Sequence, residues 1–137
     1  MAYGSPVTAR SVLRTLLAIA FATAGGLHLL FPEPFVDITP DWVPMAFEVV
    51  RLTGVAEIAG ALGLMSPRTR RWAAIALALY CVCVFPANIN HAVIDLDRVR
   101  PLLGWAYHGP RLLLQPVIVW ACLWAGNVIA WPFRRSA

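Results

Sequence analysis

Four apolar runs, residues 12–30, 44–65, 72–93 and 110–131, are separated by short polar stretches. Each comes close to the roughly 20 residues that a helix needs to cross a hydrocarbon layer about 30 Å thick. The pattern predicts an all-α chain: a membrane four-helix bundle, up-down-up-down, forming one domain over residues 1–137. No linker, repeat or low-complexity stretch interrupts it. Two prolines shape the expected helices. Pro110, just after Gly109, suits a first helical position and sets the start of the fourth span. Pro86 removes the donor for the Val82 carbonyl and predicts a bend in the third.

Composition strengthens this reading. Charged residues are 13% and hydrophobic residues 60% of 137, with mean hydropathy +0.70, against about 25% charged in soluble proteins. A soluble core this small would leave much apolar surface in water. The net charge of +4 comes from eleven basic residues, all arginine. They mark helix ends rather than a water-facing basic surface, so nucleic acid is excluded as a partner.

Arginine placement also orients the chain. Arg10, Arg14, Arg68, Arg70, Arg71, Arg134 and Arg135 fall on the side of the termini and the Ser66–Arg71 loop, against Arg98, Arg100 and Arg111 on the other. Basic residues beside spans favour the cytoplasm. Both termini are therefore expected to be cytoplasmic, in a multi-pass protein of the cell membrane. Trp42, Trp72, Trp105, Tyr107 and Trp131 sit near the expected interfaces, as in an aromatic belt. Arg10, Arg14 and the run to Ala22-Thr23-Ala24 imitate a cleavable signal, but the apolar stretch continues to Phe31, which argues against cleavage.

Candidate chemistry centres on Glu57. By helical rise it lies roughly 15 Å from the Pro67 end, near mid-membrane. An ionised side chain there costs about 2.5–3.5 kcal/mol on the milder insertion scale. Gly54, Gly60 and Ala61, three or four positions away, let a neighbouring helix approach and satisfy it. The other candidate site residues are His28, Arg51, Asn88, His91, Arg111 and Gln115, on all four spans. Glu48 and Arg51, three apart, share a face and can pair. Asn88 and His91 share another face, with Asn90 turned about 200° from Asn88, and Arg111 and Gln115 share one at i, i+4. The plainer reading is that each polar group bonds a neighbouring helix or snorkels outward. Their similar depth on four spans favours a shared, outward-opening pocket. Cys81 and Cys83, also about 200° apart, cannot chelate one metal; with Cys122 they read as small packing residues.

Several stretches together resemble the DoxX-like family of small four-helix membrane proteins. They are Ala24-Gly25-Gly26-Leu27-His28, the F-x-x-I-x-P-x-W-x-P run from Phe35 to Pro44, Thr53-Gly54-Val55-Ala56-Glu57-Ile58, the turn from Gly63 to Arg71, Phe85-Pro86-Ala87-Asn88-Ile89, and Arg111-Leu112-Leu113-Leu114-Gln115. The resemblance runs from residue 16 to about 125. It departs in the fourth span, where Leu113 stands in place of the family's proline and Pro116 follows the glutamine. It implies a four-helix membrane fold and an association with redox proteins, the family being named for a subunit associated with thiosulfate:quinone oxidoreductase.

The expected function is a membrane-embedded accessory or binding subunit that holds a small amphipathic ligand, such as a quinone, in the outer polar pocket. No haem-ligand pair, metal-ligand spacing or dinucleotide fingerprint occurs. Electrons would come from a membrane or peripheral redox partner, and the chain is not expected to be an enzyme alone. A structural or assembly role for another membrane protein is the alternative. A small transporter is third, because four helices enclose a substrate path only as a homo-oligomer and no repeat is present.

Overall fold

The computed structural model describes residues 8–132. Among these, all regular structure is helical: α1 (Ala9–Leu30), a single turn α2 (Glu33–Val36), α3 (Ala46–Met65), α4 (Arg70–Cys83), α5 (Phe85–Leu96) and α6 (Gly104–Ala125). α4 and α5 form one element broken at Val84, two residues before Pro86, as the missing proline N–H requires. α1 packs on α3, α3 on α4, α4 on α6 and α6 on α1, which closes a ring of four. Directions alternate. Arg14 near the start of α1 donates to the Ala125 carbonyl at the end of α6 (Nη2 at 2.9 Å), and Arg70 at the start of α4 donates to the Leu64 carbonyl at the end of α3 (Nε at 3.2 Å).

That arginine-rich end is closely packed. Leu17, Phe21, Leu64, Leu77 and a set of alanines bury one another there with Cys81 and Cys122. Small residues set the spacing. A Cβ on Gly25 would stand 2.5 Å from the Gly54 carbonyl oxygen, and one on Gly54 would stand 2.8 Å from the Gly25 oxygen. α1 and α3 therefore meet backbone to backbone, as small-residue interfaces allow. The outward faces are apolar: Leu16 and Ile19 on α1, Leu52 and Leu62 on α3, Leu79 on α4 and Leu113 on α6 are all more than half exposed.

Two helical elements, Ala9–Leu30 and the broken Arg70–Leu96, are long and apolar enough to cross a membrane. α3 carries Glu48, Arg51 and Glu57, and α6 carries His108, Arg111 and Gln115, which lowers their apolarity.

The fourth helix differs most from the sequence expectation. It runs from Gly104 to Ala125 rather than over 110–131, and Pro110 and Pro116 both lie inside it. Its start is fixed from another helix: the Asp95 carboxylate accepts the N–H groups of Leu102, Leu103 and Gly104 at 2.9, 3.1 and 2.9 Å. An acidic group on these unpaired N–H groups does the work of an N-cap, and Gly104 takes the positive φ of 65° that the turn needs. Its end is fixed by Asn127, at φ 61°. Asn127 N–H reaches the Trp124 carbonyl at 3.2 Å and Val128 N–H reaches Leu123 at 2.9 Å, a Schellman closure. Of the arginines used to orient the chain, Arg134 and Arg135 lie outside the described residues.

The glycine seam yields a paired test. Gly54→Ala forces backbone apart and is expected to cost roughly 1–3 kcal/mol, as overpacking does. Gly26→Ala, whose Cβ meets nothing within 4 Å, is expected to keep or slightly raise stability, because alanine is the better helix former. Thermal unfolding of both variants in one detergent checks this.

Candidate functional site

The end of the bundle opposite those arginines is less tightly packed. A cavity of about 920 Å³ lies there, with Leu17 and Phe21 in its floor and Ile38, Val43, Leu114 and Ile118 among its apolar walls. Polar side chains reach it from two sides.

One side is built on the glycine seam. The contact at Gly25 and Gly54 draws His28 and Glu57 together, each three residues farther along its helix. His28 Nδ1 lies 2.8 Å from Glu57 Oε2. Glu57 is only 4% exposed, so this carboxylate meets its partner out of water. Thr53 Oγ1 stands 3.5 Å from the same His28 nitrogen and donates to the Val50 carbonyl at 2.7 Å. The Tyr80 hydroxyl faces Glu57 and Thr53. Phe35 packs edge-on against the His28 ring, centroids 4.1 Å apart, and fixes its plane.

The other side is a polar ladder between α5 and α6. Asn88, His91 and Asp95 follow at i, i+3, i+7 on α5; His108, Arg111 and Gln115 do so on α6. Such spacings share one helical face. The two sets meet in one antiparallel register. Asn88 Nδ2 donates to Gln115 Oε1 at 3.1 Å, Arg111 donates to His91 Nδ1 at 2.6 Å and to Asn88 Oδ1 at 2.8 Å, and His108 Nε2 lies 3.1 Å from Asp95 Oδ2. Gln115 also donates to the Cys81 carbonyl, near the α4–α5 break.

Donor chemistry settles the orientations. Arg can only donate, so the Asn88 atom facing it is the oxygen, and His91 Nδ1 is an unprotonated acceptor. His91 is then neutral, with its proton on Nε2. Its ring stands edge-to-face with His108, centroids 4.9 Å apart. His108 is fully buried; with Nε2 directed to Asp95, its Nδ1 has no hydrogen-bond partner.

The segment between α1 and α3 forms part of the cavity wall. Phe35, Ile38, Thr39, Pro40, Trp42 and Val43 face the cavity. The segment is tied down by Asn90 Nδ2, which donates to the Ile38 carbonyl at 2.9 Å, so Asn90 does point away from the Asn88 ladder.

Of the residues singled out from sequence, His28 and Glu57 meet on one wall, and Asn88, Arg111 and Gln115 line the other. His91 stands behind Arg111 and touches the cavity only through it. Arg51 does not join them. It is exposed, lies 5.9 Å from the Phe47 ring centroid and makes no ion pair with Glu48; the i−4 aromatic ring offers its long stem a packing surface, which Glu48 does not. Asp95 belongs to α5 and is 3% exposed. Sequence reasoning missed Tyr80, Thr53 and the Asp95–His108 pair. The i, i+3, i+7 repeat on both helices carried the signal for the last.

The arrangement has two chemical capacities. The Glu57–His28 pair sets an acid against a base beside the cavity. Arg111, with Asn88 and Gln115, offers N–H groups to an oxygen-bearing ligand.

A family model described as a domain of unknown function, DUF8561, matches residues 17–125. The chain belongs to DUF8561. The DUF8561 match begins at Leu17 in the cavity floor and ends at Ala125, where Arg14 caps α6, so it contains both polar walls. No curated protein and no solved structure matches the chain.

The ladder predicts where stability is concentrated. Asp95→Ala leaves three backbone N–H groups and a buried imidazole without their acceptor. Its unfolding temperature is expected to fall by on the order of 10 °C, whereas Asp97→Ala, in the neighbouring loop, leaves it unchanged. Scanning fluorimetry of the two variants checks this.

Proposed function

We propose that this DUF8561 chain is an integral membrane protein of four spans whose outer cavity binds a small amphipathic molecule, such as a quinone, as an accessory subunit to a redox partner. The single observation that carries the reading is the cavity of about 920 Å³, at the upper end of the roughly 300–1,000 Å³ of small-molecule sites. Its walls are apolar except for two polar clusters, which suits a ligand with an apolar body and a polar head.

The membrane setting is supported by the molecule's exterior. Leucine, isoleucine and valine cover the outward faces of α1, α3, α4 and α6, an apolar surface of a kind that soluble monomers avoid. α3 and α6 span in this reading because Glu57, His108, Arg111 and Gln115 turn inward and are bonded within the bundle, out of contact with lipid. The arginines of the packed end face the cytoplasm and the cavity opens outward. The resemblance to DoxX-like proteins supports a redox association. Arg111 and Asn88 then hydrogen-bond a carbonyl oxygen of the ligand, while Glu57, held by His28, exchanges the proton that accompanies reduction; the electrons come from the partner.

Quinone extraction tests this. The purified protein is expected to retain membrane quinone in mild detergent, detectable by mass spectrometry. Glu57→Gln should lower the retained amount by roughly tenfold, the loss of about 1.4 kcal/mol. Unchanged retention and unchanged membrane redox activity in that variant would sink the proposal.

The mutual pairing of the ladder residues favours one second reading, a scaffold for assembly of another membrane protein in which polar groups only fix helix register. Pull-down from solubilised membranes that recovers a stoichiometric membrane partner, with no quinone retained, is the outcome that reading expects.

A further inference from the structure

We infer that the cavity is built for an amphiphile with an anionic oxygen head group, a carboxylate or phosphate, that pairs with Arg111. The inference rests on reading the cavity as a ligand pocket and narrows the ligand.

A guanidinium carries a full charge and five N–H donors. In Arg111 two acceptors are supplied by the protein, His91 Nδ1 and Asn88 Oδ1, and both are neutral. Tyr107 packs on it with its ring centroid 5.7 Å away, also neutral. Three donors are left, on a side chain that lines the cavity. Among the described residues no carboxylate lies within ion-pairing distance of it.

The two buried acids of the bundle are committed elsewhere. Asp95, one turn beyond His91, accepts three backbone N–H groups and faces His108. Glu57, in the same cavity, is held by His28 at 2.8 Å. Arg111 is also prevented from snorkelling, because its two fixed bonds and the Tyr107 ring hold it to the ladder. An uncompensated cation so held in an apolar setting is costly. A planar fork with free N–H groups matches carboxylate and phosphate oxygens and can engage two at once. A neutral quinone would accept hydrogen bonds there and leave the charge unbalanced. The apolar walls, from Leu114 and Ile118 to the Phe21 floor, then take the ligand's hydrocarbon portion.

Binding of four probes to the full chain tests this, in nanodiscs of zwitterionic lipid at a pH where laurate is ionised, with empty nanodiscs subtracted. The probes are laurate, dodecyl phosphate, dodecanol and inorganic phosphate. At least one of laurate and dodecyl phosphate is expected to bind tenfold or more tightly than dodecanol, and the tighter of the two identifies the head group. Inorganic phosphate, lacking a chain, is expected to bind at least tenfold more weakly. Arg111→Gln should abolish the preference over dodecanol, and Arg111→Lys should keep part of it. Equal affinity for dodecanol and both anions overturns the inference while leaving the pocket intact, as does an unaltered preference in Arg111→Gln. Inorganic phosphate binding as tightly as dodecyl phosphate overturns the amphiphile. No binding by any chain-bearing probe, with no quinone retained either, removes the pocket reading itself. Should the variants fail to fold, the wild-type series alone decides.

Discussion

Polar side chains on these helices must find their partners inside the bundle, because the outward faces are apolar. Everything in the outer half follows from how that is done. On α5 and α6 the partners are matched in one antiparallel register, Asn88 with Gln115, His91 with Arg111 and Asp95 with His108. Shifting either helix by one residue would turn each rung about 100° away from its partner. The ladder therefore specifies the alignment of two helices that the apolar surface alone would leave free to slide. Asp95 extends the same control beyond the ladder, since by holding the N–H groups of residues 102–104 it decides where α6 begins.

The cavity is the counterpart of that choice. At the arginine-rich end, alanines and glycines let the helices close on one another until no space remains. At the other end the helix broken by Pro86 and the helix carrying Pro110 and Pro116 are joined to each other by side chains, while α1 and α3 are joined by the glycine seam. Two separately tied pairs enclose a volume that neither fills. The backbone break at Val84 is braced by Gln115, which donates to the nearby Cys81 carbonyl.

Local signals in the sequence indicated much of this. Apolar length located α1 and α3, the Pro86 signal located the break, and small residues around Glu57 indicated a close helical neighbour. His28, Asn88, Arg111 and Gln115 were legible as inward-facing because lipid would penalise them. What failed was whatever another part of the chain decides. Pro110 is a good first helical residue by local rules, but Asp95 starts α6 six residues earlier. Nothing local made Asn127 the stopping point, since its positive φ depends on the closure it forms with Leu123 and Trp124. Arg51 shares a face with Glu48 on any helical wheel; the Phe47 ring, equally close, gave it a different contact. His108 carried no formal charge to mark it, and its significance comes only from Asp95 across the ladder.

The two walls of the cavity differ in a way that composition alone conceals. Each carries one formally charged residue, Glu57 and Arg111, so a count finds balance. Geometry separates them, because each charge is answered locally or left unanswered. Glu57 has the His28 imidazole against it, with Nδ1 2.8 Å from Oε2. Arg111 has only uncharged acceptors, His91 Nδ1 and Asn88 Oδ1. One wall thus sets an acid against a base, and the other holds a cation among neutral groups. Equal numbers of charges on the two walls therefore do not mean equal electrostatics.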